Sequence, residues 1–329
     1  ATTYKEFMGA LEEMVDKEGL KDLVIDVRQN PGGYLQEATN ILSQFFKDRK
    51  KLLVYTEGRT VNRNDYESTG RPFYDIGNIA VLIDEGSASA SEILAGAVQD
   101  WDRGVIVGRR SFGKGLVQEQ YNLKDGSALR LTVARYYTPS GRSIQKDYEN
   151  ADEYDNDVVN RFESGELYAR DSIEVKDSTR FYTQKEGRVV FGGGGIMPDI
   201  FIPLDTMQLN EYFLRLRPHV PQFVFRYLEN EISVKEYNSL ADFDRKFTVD
   251  DQMLTAFLNY AEEKGVKKSK VSLAQTQELI ERLLKARVAR KYFGEKGHFY
   301  IWNSNDPVVR AAVKRLKAPN PLSAFKNEN

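Results

Sequence analysis

The stretch Ile79-Ala80-Val81-Leu82-Ile83-Asp84-Glu85-Gly86-Ser87-Ala88-Ser89-Ala90-Ser91-Glu92-Ile93-Leu94-Ala95-Gly96-Ala97-Val98-Gln99-Asp100-Trp101 decides the fold. Its first five residues form a short apolar run, which reads as a buried strand. Residues 84–91 are rich in glycine, serine and alanine, so the backbone can bend sharply there. From about Ser91 to Trp101 the spacing of Ile93, Leu94, Ala97, Val98 and Trp101 predicts an amphipathic helix.

The same order appears on both sides. Upstream, Leu23–Val27 reads as a buried strand, Asn30-Pro31-Gly32-Gly33 as a turn, and the residues from Tyr34 as a helix with Ala38, Ile41, Leu42 and Phe45 on one face. An earlier helix spans 4–15 and ends at Gly19. Leu52–Tyr55 and Val105–Val107 read as further strands. Strand–turn–helix alternation predicts an α/β (α+β) fold with a mainly parallel sheet and packed helices. Ala128–Val133 alternates as a strand, and a strand is expected at Ile200–Ile202 after the glycine run Gly192–Gly195. Residues 146–190 are polar and weakly periodic and read as an insertion with short strands. The tyrosines between 121 and 182 are expected in core and packing positions. After Leu204 the composition turns helical, with segments near 206–217, 221–230, 250–264, 272–293 and 306–316, and a frayed end at 319–329. The expected division is a core at 1–205 and a helical region at 206–329.

The chain has 329 residues, 41% hydrophobic and 29% charged, enough for a sizeable core. A net charge of -2 offers no basic field to nucleic acid. No apolar run is long enough to span a membrane. The absence of cysteine removes a thiol nucleophile, a disulfide framework and a thiolate zinc site. Neither of the two histidines, His219 and His298, lies near a nucleophile-like segment in sequence, and both read as structural or surface residues.

Three turns carry candidate chemistry. A serine at the bend before a helix can project its hydroxyl into a cleft while neighbouring amides face a developing oxyanion; the alternative is a helix cap, with Ser91 and Glu92 opening the helix. Lys114, in Ser111-Phe112-Gly113-Lys114-Gly115, is flanked by glycines that allow close approach, and a lysine in a dry site can accept a proton. The alternative is a phosphate-binding or surface lysine, although the full phosphate-loop spacing is missing. Gln118 lies four residues on, a spacing that puts both side chains on one face, and a neutral amide can orient an amine without locking it as a cation. Asn30-Pro31-Gly32-Gly33 could carry a backbone donor into the same cleft or be a plain turn. Asp84 and Glu85 read as a solvated turn, and Asp199 as a strand-end hydrogen-bonding residue.

Taken together, Asp26–Gly33, Gly86–Glu92, Phe112–Gln118, Tyr137–Ile144 and Gly194–Asp199 closely resemble, in order, the motifs of the C-terminal processing peptidases, or tail-specific proteases. The resemblance spans about residues 1–205. It implies a ClpP/crotonase-like mixed sheet, with Ser89 as nucleophile, Lys114 as general base and Gln118 supporting the lysine. The oxyanion donors it implies are the Ala90 amide and an amide of Gly32 or Gly33. The implied activity is serine endopeptidase cleavage near protein C-termini, on protein or peptide substrates bound by their C-terminal region, with no cofactor, metal or nucleic acid. Such bacterial enzymes act in the periplasm or at the envelope. The family's usual PDZ domain is absent from this chain. Two other readings are a non-catalytic ligand- or peptide-binding module on the same fold and a small-molecule esterase or amidase. A binder has no reason to keep serine, lysine and glutamine together.

Overall fold

In the computed structural model, residues 2–173, 179–206, 208–230 and 237–325 are described. In chain order they form α1 (Thr3–Glu18), β1 (Leu23–Asp26), α2 (Leu35–Ser43), β2 (Leu52–Glu57), β3 (Asn64–Glu67), β4 (Ile79–Ile83), α3 (Ala90–Asp100), β5 (Val105–Gly108), β6 (Leu116–Asn122), β7 (Ala128–Tyr137), α4 (Ala151–Asp155), α5 (Asp157–Glu163), β8 (Arg180–Tyr182), β9 (Val189–Phe191) and β10 (Ile200–Phe201). Then follow α6 (Glu211–Leu216), α7 (Val220–Asn230), α8 (Leu240–Lys246), α9 (Asp251–Glu263), α10 (Lys270–Asn303) and α11 (Pro307–Leu316). The chain divides into two compact units, one holding the described residues up to Pro203 and from Arg310 on, the other Leu204–Val309.

In the first unit β1, β4, β5 and β10 make a parallel sheet in that order, with Leu23 opposite Ile79, Ala80 opposite Val105 and Val107 opposite Ile200. Strands β4 and β5 are buried at every residue, as continuous apolar runs covered on both faces must be. Helix α3 is likewise buried along its whole length and packs on α2, β2, β4 and β5. The polar residues it carries are each partnered. Asp100 pairs with Arg142 at 2.7 Å, both side chains 0% exposed. Gln99 donates to the Met197 carbonyl and to Asp199. Asp199 closes the strand end as expected, accepting from the Ile106 amide at 2.7 Å.

The α/β class stands, but strands of the two kinds form separate sheets. β2, which the repeat suggested as a parallel strand, lies in the antiparallel sheet β3-β2-β7-β6. Edge strand β6 follows Lys114 directly and was not expected; its outer residues are exposed and lack the apolar run that marked the others. The segment 146–190 contains helices α4 and α5 as well as the hairpin β8–β9. Tyr136 is buried, whereas Tyr121, Tyr148, Tyr168 and Tyr182 are exposed, so the packing expected of these tyrosines holds only in part. The end expected to be frayed, 319–329, contains a short 3-10 turn at Ser323–Phe325, and residues 326–329 lie outside the described residues.

The second unit is a helical assembly around Phe213, Phe243, Phe257, Ile280 and Leu284. Helix α8 was not anticipated because its apolar content is only Leu240, Ala241 and Phe243; its Ser239 cap accepts from the Asp242 amide. Helix α10 is broken at Gly294, whose φ of 63° and ψ of -155° are nearly exclusive to glycine. Among the described residues no helix is long and apolar enough to cross a membrane.

Candidate active site

The three turns named above leave the carboxyl ends of three adjacent parallel strands, where ligand crevices form in open α/β sheets. They are stitched to one another. After β1, the Gln29 amide and side chain both donate to Asp84 at 2.8 Å, and the Asn30 carbonyl accepts from the Ala88 amide and the Ser91 hydroxyl, each at 3.0 Å. Asp84 is therefore a buried anchor and not the solvated turn residue expected; its neighbour Glu85 pairs with Arg109 at 2.8 Å. After β4, the Ser87 hydroxyl donates to the Val27 carbonyl at 2.8 Å, and its carbonyl accepts from the Phe112 amide of the third turn at 2.9 Å.

Ser89 takes the N-cap position of α3 with φ 56° and ψ -116°, a conformation costly for a residue with a Cβ. Strain of this kind is found where a strand-to-helix turn exposes a nucleophile. Ser89 is half-buried between the buried residues Ala88 and Ala90, so it is the accessible one of the three. Ser89, expected as nucleophile, is thus also the N-cap of α3.

Gly32 abuts this turn. A Cβ built on it would sit 2.5 Å from the Ala88 carbonyl oxygen and 2.6 Å from the Ala90 nitrogen, and its φ is 86°. Its own amide is occupied, donating to the Asn30 side chain at 2.9 Å. The Gly33 and Ala90 amides have no hydrogen-bond acceptor among the described residues.

Glu92 joins the serine turn to the lysine turn. It is 0% exposed. Its Oε2 accepts from the Ser89 amide at 2.9 Å and from the Lys114 amide at 2.8 Å. Its Oε1 accepts from the Ser111 hydroxyl at 2.5 Å and from the Gly113 amide at 2.7 Å. Two amides on one oxygen bring the backbones of Ser89 and Lys114 close together. Burial raises the Glu92 carboxyl above its ordinary range, and the donors from Ser111, Lys114, Gly113 and Ser89 pull it back.

Lys114 is half-buried, and no carboxylate among the described residues pairs with its side chain. Its carbonyl accepts from the Tyr136 hydroxyl. Burial pushes that phenol well above 10, with Glu92 adding to the rise and the Ser89 side chain opposing it. The Tyr136 hydroxyl therefore remains a donor at any working pH. Gln118 lies on β6, exposed, and its side-chain amide makes no hydrogen bond among the described residues. A register shift between Val117 and Gln118 interrupts the alternation on which the same-face argument rested.

Glu92 and Tyr136 were not anticipated as parts of the site. The signal for Glu92 was present as Ser89-x-x-Glu92, the spacing of a capping box. Tyr136 carries no local signal, because it reaches Gly115 and Lys114 by strand pairing. His219 and His298 both lie in the second unit. Among the described residues no group of three or more His, Asp or Glu side chains is placed to hold a metal ion.

Residues 1–154 match the profile of peptidase family S41, and the matched stretch contains all three turns. This stretch belongs to family S41. The chain is 36% identical over 232 residues to a carboxy-terminal-processing protease of Bartonella bacilliformis, covering 68% of this chain and 51% of that protein. A carboxyl-terminal-processing protease of Synechocystis is 39% identical over 146 residues, 44% of this chain and 33% of that protein. The chain thus spans between a third and a half of the length of these relatives. A solved photosystem II D1 C-terminal processing protease is 29% identical with a TM-score of 0.43, covering 64% of this chain and 42% of that one. Beyond the S41 segment, residues 213–294 match a family of unknown function, DUF8443.

Proposed function

We propose that the first unit is a serine endopeptidase site in which Ser89 is the nucleophile and Lys114 its general base, cleaving proteins near their C-termini. The observation that carries this reading is the shared Glu92 oxygen, which holds the strained Ser89 and Lys114 side by side at the strand ends. The names of the S41 relatives support the choice of C-terminal substrates.

The Lys114 amine takes the Ser89 proton as the oxygen attacks the scissile carbonyl. The amides of Ala90 and Gly33 receive the oxyanion; Gly33 is preferred to Gly32 because the Gly32 amide is already bonded to Asn30. The Lys114 ammonium gives its proton to the leaving amine, and water then releases the acyl-enzyme with the same amine as base. Gln118 is assigned the orienting of that amine as the resemblance implies. Protein substrates are bound by their C-terminal region, and the protein acts outside the cytoplasm of a bacterium.

The test compares the chain with Ser89→Ala and Lys114→Ala on an unfolded protein substrate. Each substitution is expected to lower cleavage by about a thousandfold or more. Equal cleavage by all three proteins ends the assignment.

A further inference from the structure

Arg161 lies outside every motif that pointed to the site. It sits on α5, and its side chain is 3% exposed. Nη1 donates to the carbonyl oxygens of Arg110 at 3.2 Å and Ser111 at 2.9 Å, and Nη2 to that of Phe112 at 3.3 Å. These three carbonyls are consecutive, and the next two residues are Gly113 and Lys114. The amides of those two residues turn to Glu92. The lysine turn is therefore gripped on both sides, its N–H groups by the buried Glu92 carboxyl and its C=O groups by the buried Arg161 cation. Removing the cation would leave three carbonyls without this donor, that of Ser111 at a buried position.

The grip is itself braced. Asp157 pairs with Arg161 at 2.8 Å. Glu166 takes two bonds from Arg110, at 2.7 and 2.6 Å. The ring of Phe112 meets Tyr154 edge-on, with centroids 5.7 Å apart, and Lys146 Nζ lies 3.8 Å from the Phe112 ring centroid.

We propose that Arg161 is a positioning residue for Lys114, setting the height of the lysine turn from the α4–α5 side while Glu92 sets it from the α3 side. This rests on the Ser89–Lys114 reading. A guanidinium that only fastened α5 to the rest of the unit would affect thermal stability and leave turnover per folded molecule alone. A positioning residue changes kcat and leaves KM nearly untouched, since misplacing a base by a fraction of an ångström slows chemistry without weakening substrate binding.

The experiment uses the full chain and its Arg161→Met, Arg161→Lys and Lys114→Ala variants. Steady-state cleavage of an unfolded protein is normalised to the folded fraction by circular dichroism, and Ser89 acylation is followed with a fluorophosphonate probe. Arg161→Met is expected to lower kcat and the acylation rate by about tenfold or more with KM within about threefold. Arg161→Lys recovers part of the loss, because an ammonium still donates to carbonyls. Wild-type kcat in Arg161→Met, with Lys114→Ala inactive, overturns this proposal alone. If the unsubstituted chain and Lys114→Ala cleave alike, the Ser89–Lys114 reading has failed and this one falls with it. Should Arg161→Met not fold, Arg161→Lys and Arg161→Gln decide the matter: lowered kcat at unchanged KM supports the role, and unchanged kcat refutes it.

Discussion

Glu92 directs two carboxylate oxygens at four donors, three of them backbone amides, with no water-facing surface. Glu92→Gln keeps the shape but turns an NH2 group toward amides that need an acceptor. The expected cost is about 1–3 kcal/mol for each donor left unpaired, read from urea unfolding, together with loss of cleavage as the serine and lysine turns separate. Unchanged stability and turnover would remove Glu92 from the site. The turns that carry Ser89 and Lys114 were legible in the sequence because small residues and glycines mark turns wherever they occur, whereas the roles proposed for the two residues came with the family resemblance. The role of Glu92 was half-legible, as a cap. Tyr136 and Arg161 were not, because their partners are 22 and about 50 residues away and only the folded chain brings them together.

Among the elements, the strands of the parallel sheet were read to within a residue or two at their ends, since buried parallel strands leave continuous apolar runs. β6 escaped notice for the opposite reason: as an exposed edge strand it has no run to show. The motif Tyr137–Ile144 had no assigned role from sequence. In the structure it delivers Arg142 into the first unit, where the guanidinium reaches Asp100, Gln99 and the Phe191 carbonyl. Arg142→Ala would leave Asp100 a buried charge without its counter-ion. The expected destabilisation is about 3–5 kcal/mol, measured by chemical denaturation; a loss under about 1 kcal/mol, the range of exposed pairs, would show that water replaces the guanidinium.

At the scale of the whole molecule the helical composition after Leu204 was plain, while the return of the chain to the first unit from Arg310 was not, because sequence periodicity reports a face and not its partner. The second unit carries its own pH dependence. Burial lowers His298 below its ordinary value of 6.5, the Ala286 backbone and Glu295 opposing the fall. The unfolded chain therefore binds the proton more readily. The stability this residue confers is complete above about 6.5 and is lost as pH falls through the lowered value. Thermal melts at pH 7.5 and 5.5 should show a larger drop for the unsubstituted chain than for His298→Asn; equal drops would exclude the histidine as the cause.

One oxygen serving both Ser89 and Lys114 has a mechanical meaning. Neither turn can withdraw alone without stranding a carboxylate in a dry interior, so a half-dismantled arrangement lies high in energy. The two turns travel as a single part, and the machinery they carry is either whole or wholly undone.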